Sequence, residues 1–587
     1  MRWLLVAWLG VAPHIAWAGW DRYELIIWQD QTPERLAALK EAGFTAAKLN
    51  GNGGVDPAAL AKHRASGLQF YIENIATDYY APYHRYTPGR TVTWLWDAQK
   101  SLLQADPARR DVFVRVPGLQ DPAWQERVAL RLTTVAAAHE PGPPLFYTLG
   151  DETGIGDLAA AWDADIAPES LAAFRGWLAS EYSNLAALNQ QWGTAYASWD
   201  AVQPELTDAA LARTDGNYSA WSNFKAFMDT SFAGALRMGT DAVHRGDPAA
   251  LAALEGAQIP GWGGYDYARL APTVDVMEIY DFGLALELAR AFNPALIPLR
   301  TSFEDSAAER HAAWSAFLHG VRGTIVWDDD GSIVGADGQP SARARALAAQ
   351  TREFQALAPL VWATVPHRDA VAIVVSQESF RIGWLLDRQP EGGHWWERDA
   401  EREGGPNAWR TAREQAAGPL FGQGLNPVWL ATADVIPEAV EVVVLPHTLA
   451  LSDAELTALR TFEARGGVVV AGTEAGLYDG HGRRRAVPPA FKTAVLSGPA
   501  AVVRVTDAQG LATGLVVQLL DGADGQLVAI QSAQPGQASR ALTVELRQAA
   551  EVTDVRTGQV FGRTQTIAIT LDAIDPTILR LRRALPP

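Results

Sequence analysis

Short apolar runs alternate with amphipathic stretches along the first 360 or so residues, and each run ends in a polar residue or glycine. Such runs read as buried strands of a parallel sheet. Strands are expected at 23–28, 44–49, 68–74, 146–152, 250–257, 274–280, 296–303 and 323–327. Helices are expected between and after them, at 32–42, 56–67, 122–139, 267–270, 284–292, 309–319 and 342–357. Thr32-Pro33-Glu34 is a helix start, with an N-cap hydroxyl, proline at the first helical position and then an acid; Gly43 is the stop. Eight strand–helix units predict an α/β fold of the TIM (β/α)8 barrel type. The insertion after strand four is long and carries helices at 170–178 and 218–244.

A second alternation begins after Pro366, with strands at 371–375, 442–445 and 468–471. Ser452-Asp453-Ala454-Glu455 caps a helix before the last of these. This predicts a smaller flavodoxin-like α/β domain with a parallel sheet. Its strands lack a glycine fingerprint, which favours scaffolding over nucleotide binding. The polar, glycine-rich stretch 389–405 reads as a mobile loop. From about 500 onward, alternating runs at 514–519, 527–531 and 566–570 are broken by Asp-Gly or Gly turns, the pattern of a β-sandwich. The expected divisions are 1–18, 19–360, 366–492 and 498–587.

Composition narrows the function. Arg2, an apolar core over 3–12 and the small-x-small site Ala16-Trp17-Ala18 read as a secretory signal peptide. The core is too short for a permanent span, so no membrane insertion is expected. Cysteine is absent, which excludes disulfides and thiolate-bound metal. An exported chain without cysteine suits a bacterial periplasm or exterior. The net charge of -18 argues against nucleic acid as partner. The 11 histidines show no ligand spacing, so no metal or other cofactor is expected. The 22 tryptophans supply faces that stack on sugar rings, though they also fill cores. The aromatic run Tyr79, Tyr80, Tyr83, Tyr86, Trp94 and Trp96 follows strand three and is expected to wall a cleft.

The chemistry concentrates at Phe146-Tyr147-Thr148-Leu149-Gly150-Asp151-Glu152, where an apolar strand opens into two carboxylates. Glycoside hydrolysis needs two carboxyls across the scissile bond, one to protonate the leaving oxygen and one to attack or to activate water. Glu152 is the expected acid. Strand seven offers Arg300-Thr301-Ser302-Phe303-Glu304, and period two puts Arg300, Ser302 and Glu304 on one face. Arg300 beneath Glu304 would keep it ionised, as a nucleophile requires. Glu278, Glu255 and Asp328 are rivals for that role. Asp151, Trp28, Lys48, Asn50, Glu73, Gln258, Tyr280, Asp281, Arg300, Trp327 and Asp328 are candidate substrate contacts at strand ends. Trp327-Asp328-Asp329-Asp330-Gly331 does not have calcium-loop spacing and reads as a substrate-binding or solvated loop.

Leu149-Gly150-Asp151-Glu152, Leu188-Asn189-Gln190-Gln191-Trp192-Gly193-Thr194, Val276-Met277-Glu278-Ile279-Tyr280-Asp281, His319-Gly320-Val321-Arg322-Gly323 and Ser376-Gln377-Glu378-Ser379 resemble segments of the family 42 β-galactosidases. The resemblance covers the first 480 or so residues. It implies a clan A barrel with acid on strand four and nucleophile on strand seven, followed by a trimerisation domain and hence a homotrimer. The clan usually has Asn before the acid, gripping the sugar 2-hydroxyl; here Asp151 stands there. A carboxylate accepts from a hydroxyl but cannot donate, which changes the expected sugar more than the chemistry. The resulting expectation is a secreted, retaining, exo-acting glycoside hydrolase, β-galactosidase-like, acting on a carbohydrate. Two alternatives stand beside it: a same-clan hydrolase of another polysaccharide linkage, and a non-catalytic glycan-binding protein on a degenerate barrel.

Overall fold

The computed structural model describes residues 20–51, 54–81, 94–139, 142–156, 163–328, 330–398, 402–403, 405, 407–491 and 501–582. The expected signal peptide, Tyr83, Tyr86 and Asp329 lie outside them.

Eight parallel strands close into a barrel: β1 (Glu24–Ile27), β2 (Ala46–Asn50), β3 (Gln69–Glu73), β4 (Tyr147–Asp151), β5 (Ala252–Ala257), β6 (Val276–Ile279), β7 (Ile297–Ser302) and β8 (Gly323–Val326). β8 pairs back onto β1 in register Glu24↔Gly323 through Ile27↔Val326. The expected helix signals act as written. Thr32 Oγ1 accepts from Arg35 N and Gly43 closes that helix at φ 114°. Asp56 caps Pro57–Ser66 and Ser306 caps Ala307–Leu318 through the same side-chain-to-backbone bond.

After β9 (Thr364–Pro366), four parallel strands form a second sheet in the order β11-β10-β12-β13: β10 (Val371–Val374), β11 (Val428–Leu430), β12 (Val442–Leu445) and β13 (Val468–Ala471). Ser452 and Glu455 make a full capping box. This unit grips the barrel through a buried pair, Arg381 Nη1 to Asp229 Oδ2 at 2.9 Å, and Gln377 Nε2 donates to Gly261 O at 2.7 Å.

The remaining strands are antiparallel: β14 (Val503–Asp507), β15 (Gly510–Leu511), β16 (Leu515–Gly522), β17 (Gly525–Ser532), β18 (Arg540–Asp554), β19 (Val560–Leu571) and β20 (Thr577–Arg582). β18 is irregular between Glu545 and Ala550; its first half pairs with β14 and its second with β20. The strands surround an apolar cluster of their own, built on Val517, Leu519, Val528, Ile530 and Val544. β9 adds to this sheet by pairing with β16. Asp575 binds it to the barrel, accepting from Arg310 Nε at 2.7 Å, Trp314 Nε1 at 3.1 Å and Arg556 Nη2 at 2.9 Å.

Two expectations are corrected here. Tyr79, Tyr80, Trp94 and Trp96 do not wall a cleft; all four are buried. Three of the polar tips are spent on carbonyls, Tyr79 on Leu119, Tyr80 on Ala235 and Trp94 on Val112. A large ring with one satisfied hydrogen bond is more stable inside than at a rim. The stretch read as a mobile loop begins as 3-10 helix over Gln389–Glu397, because Trp395 and Trp396 are buried and tie it down.

Candidate active site

Alternation decides what reaches the barrel mouth. Ile26, Ala46, Tyr71, Ala253, Val276, Ile297, Leu299 and Ile325 fill the barrel interior as one apolar cluster. Counting on by two toward the carboxyl ends gives Trp28, Lys48, Glu73, Glu255, Glu278 and Thr301. β4 joins this row through a bulge. Thr148 pairs with Ala253 but Asp151 pairs with Glu255, so β4 carries one more residue than β5 across that step. A second irregularity lies between Leu254/Met277 and Ala257/Ile279, at Gly256 with φ 62°. Glycine takes that conformation without strain.

These two bulges gather the carboxyls. Gly256 N donates to Glu278 Oε2 at 3.0 Å. A Cβ on Gly256 would meet Glu152 Cγ at 2.6 Å and Asp151 Oδ1 at 3.0 Å. Glu152 and Glu278 therefore flank one peptide unit. Glu152 follows directly on β4 with φ 46°, a left-handed backbone for a residue with a Cβ. Such strain persists only where the surroundings impose it, and it clusters at functional sites. Glu152 N donates to Glu255 O at 3.0 Å, and Tyr280 Oη donates to Glu152 Oε1 at 3.0 Å. Thr301 Oγ1 donates to Glu278 Oε1 at 2.6 Å.

The electrostatics follow from burial and crowding. Burial pushes Glu278 up to about 7; the Thr301 and Gly256 hydrogen bonds oppose this, and the charges of Glu73 and Glu152 add to it. Glu255 is held well above the carboxylate range by burial, then by Glu73, Glu278 and Asp151, although Tyr71 Oη donates to it at 2.9 Å. Burial raises Asp151 well above its ordinary value, reinforced by Glu73, Glu152 and Glu278 and opposed by Lys48. Burial also raises Glu73, against the pull of Lys48 Nζ at 2.8 Å and a hydrogen bond from Trp28. Lys48 lies over the Trp28 ring, 3.8 Å from its centroid. Burial works against the Lys48 charge, yet Glu73 and, further off, Glu255 and Asp30 hold its pKa above the usual lysine value.

Trp28, Glu73, Asp151, Glu152 and Tyr280 thus come together, as do the rivals Glu255 and Glu278. Asn50 ends β2 in register with Glu73 and is half-buried. Trp327 is partly exposed beyond β8, and Phe303 stands between it and Tyr280, edge-on to each with centroids 5.9 and 5.5 Å apart. These rings make an aromatic rim on one side of the carboxyls.

Five expected positions are corrected. Arg300 and Ser302 do share a face, but it is the outer one; Thr301 faces the barrel. Arg300 Nη2 pairs at 2.6 Å with Glu309 on the helix Ala307–Leu318. Glu304 lies past the strand, exposed, and accepts from Ser306 Oγ at 2.8 Å. Asp328 is buried and its two oxygens accept from Ser332 N, Ser332 Oγ and Ile333 N, so it ties down its own loop. Gln258 is turned back on the chain, its Nε2 donating to Gly256 O at 2.8 Å. Asp281 is exposed, and its Oδ1 accepts from Leu286 N at 3.2 Å. Sequence reasoning missed Tyr71, Gly256 and Thr301. Glycine inside a strand was the one available signal, since it marks bulges and close backbone approaches. Among the described residues no group of three or more His, Cys, Asp or Glu side chains has the geometry to hold a metal ion.

Two outcomes follow from this geometry. Glu304→Gln should leave kcat/KM unchanged and stability within about 0.5 kcal/mol, as for an exposed residue with one short-range contact; steady-state kinetics and thermal unfolding check it. Gly256→Ala should lower kcat/KM by about 100-fold, because the new methyl drives Glu152 off position. A crystal structure of that variant should show the Glu152 side chain displaced.

The comparisons with known proteins bear on the family and the fold. The glycoside hydrolase family 42 model, described as beta-galactosidase, matches residues 145–318. No curated protein sequence matches. Among solved structures, the β-galactosidase from Bacillus circulans sp. alkalophilus superposes with a TM-score of 0.66 at 13% identity, over 95% of this chain and 98% of that one. A catalytic mutant of Gan42B, a family 42 β-galactosidase from G. stearothermophilus, gives 0.65 at 14% identity, over 96% and 98%. The apo family 42 exo-carrageenase from Bacteroides ovatus gives 0.63 at 14%, over 96% and 84%. At these identities the likeness is one of fold.

Proposed function

The chain being a distant, family 42-like glycoside hydrolase, we propose that it is an exported enzyme that cleaves a β-linked sugar from a glycan with retention of configuration. Glu152 is the acid/base and Glu278 the nucleophile. The observation that carries this reading is the Gly256 peptide, which has Glu152 where a Cβ would stand and Glu278 hydrogen-bonded to its N–H. A sugar held there has one carboxyl on each side of its anomeric bond. The Thr301 and Gly256 donors favour the ionised form of Glu278, as a nucleophile needs. The charge of Glu152 is among the causes that raise Glu278, so each carboxyl disfavours charge on the other; this reading gives the proton for the leaving oxygen to Glu152. In this reading the nucleophile has moved from strand seven to strand six, and Thr301 stands beside it where β7 would have supplied it. The aromatic rim of Tyr280, Phe303 and Trp327 supports a sugar ring as the ligand. Export is supported by the charged, apolar and small-residue order over 2–18.

Proton NMR during hydrolysis of an aryl β-glycoside tests the proposal. The first-formed sugar should be the β-anomer. A first-formed α-anomer means inversion and removes the covalent role of Glu278.

A further inference from the structure

The barrel mouth holds more carboxyls than the hydrolysis of a neutral sugar uses. Glu152 and Glu278 do the chemistry in the reading above. Glu73 is balanced by Lys48, the cation at its side. Asp151 and Glu255 are left over. They are register partners side by side on β4 and β5, and Lys48, the cation that acts on Asp151, is itself paired with Glu73. Glu255 is fully buried; its Oε1 takes the Tyr71 hydroxyl, and its Oε2 has no hydrogen-bond partner among the described residues. A buried carboxyl oxygen without a partner is costly, and a donor on a bound ligand would relieve that cost.

Position indicates what such a donor would be. Asp151 and Glu152 are consecutive, and both reach the same point beside Gly256, with Asp151 Oδ1 and Glu152 Cγ within 3.0 Å of where a Cβ would stand. A group held by Asp151 therefore lies beside the reacting carbon. Resting on the proposed glycosidase reading, we infer that the sugar cleaved carries a free amino group on the carbon next to the anomeric centre. The substrate class is a 2-amino-2-deoxyhexoside whose ammonium is bound by Asp151 and Glu255.

The energetics favour a cation there. Burial raises both Asp151 and Glu255 well above the carboxylate range, and the charges of Glu73 and Glu278 add to it. An entering ammonium supplies the charge that lets Asp151 ionise and forms a charge-assisted hydrogen bond, about twice as strong as a neutral one. A 2-hydroxyl offers one neutral bond. A 2-acetamido group offers no charge and adds bulk. The chain's net charge of -18 also steers a polycationic glycan toward it.

The test compares p-nitrophenyl β-glucosaminide and β-galactosaminide with their 2-hydroxy and 2-acetamido counterparts, below the pKa of the sugar amine. The wild-type protein should prefer the 2-amino substrates by about 100-fold or more in kcat/KM. Asp151→Asn should lower the 2-amino substrates far more than the 2-hydroxy ones and reverse that preference. Independently of any variant, free glucosamine or galactosamine should inhibit the wild-type protein at least about tenfold more strongly than glucose or galactose, the equivalent of about 1.4 kcal/mol. A wild-type preference for 2-hydroxy sugars overturns the inference and leaves the proposed hydrolase standing. An equal loss on both classes in Asp151→Asn overturns it too. Hydrolysis of none of the glycosides overturns both.

Discussion

Glu152→Gln is expected to lower kcat/KM on an oligosaccharide by about 10³ to 10⁴, the range for loss of a positioned general acid. On an aryl glycoside with a good leaving group the loss should be far smaller in the first, glycosylation step, because that oxygen departs without a proton. The substitution keeps the side-chain length, and the Tyr280 hydroxyl can still donate to the amide oxygen in place of the carboxylate. The backbone is held separately, by Glu152 N on Glu255 O. The fold should therefore survive, with a melting temperature near that of the wild-type protein, and the defect should be chemical. A second signature separates this from a structural effect: the alkaline limb of the kcat/KM profile on the oligosaccharide should vanish, since the group that must stay protonated is gone. An equal loss on both substrates, with the limb retained, assigns the acid to another residue.

Much of the barrel is legible from the sequence because each strand–helix unit carries its own punctuation. Thr32-Pro33, Asp56-Pro57 and the stops at Gly43 and Gly67 act locally, and local signals do not depend on the rest of the fold. The place of Glu152 at the barrel mouth is legible for the same reason, as the first carboxylate beyond an apolar strand that ends at Asp151. The side of β7 is not. Both faces of a barrel strand are buried, one against the interior and one against helices, so alternation yields two equivalent sets and no means of choosing. Arg300 belonged to the helix-facing set, and its partner Glu309 comes from the next helix. The ionic partner of Glu73 was equally hidden, because Lys48 meets it through the register of β2 against β3. Asp328 looked like a ligand for want of knowing that its own loop would use both oxygens. The aromatic stretch after strand three read as a rim because loops there form rims, yet its rings had carbonyl partners inside.

Glu278→Ala is expected to abolish turnover more completely, by about 10⁴ or more on activated and unactivated substrates alike, because no leaving group compensates for a missing nucleophile. The cavity left between Gly256 N and Thr301 Oγ1 has the two donors that held the carboxylate. Azide fits such a space, and it should restore part of the rate on an aryl β-glycoside. The product should be the α-glycosyl azide, since direct attack from the vacated side inverts the centre once. An azide-rescued Glu152→Ala enzyme should give the β-azide instead, through two inversions. The pH profile of the wild-type enzyme bears on the same residue. A nucleophile acts ionised, so activity should rise with pH through the region where Glu278 loses its proton, at about 7. Removing the Thr301 donor by Thr301→Val should shift that acidic limb upward, because the ionised form then has one hydrogen bond fewer. If Glu278→Ala keeps most of its activity while Glu304→Ala loses it and is rescued to the α-azide, the nucleophile is the exposed residue beyond β7 and must swing inward on substrate binding.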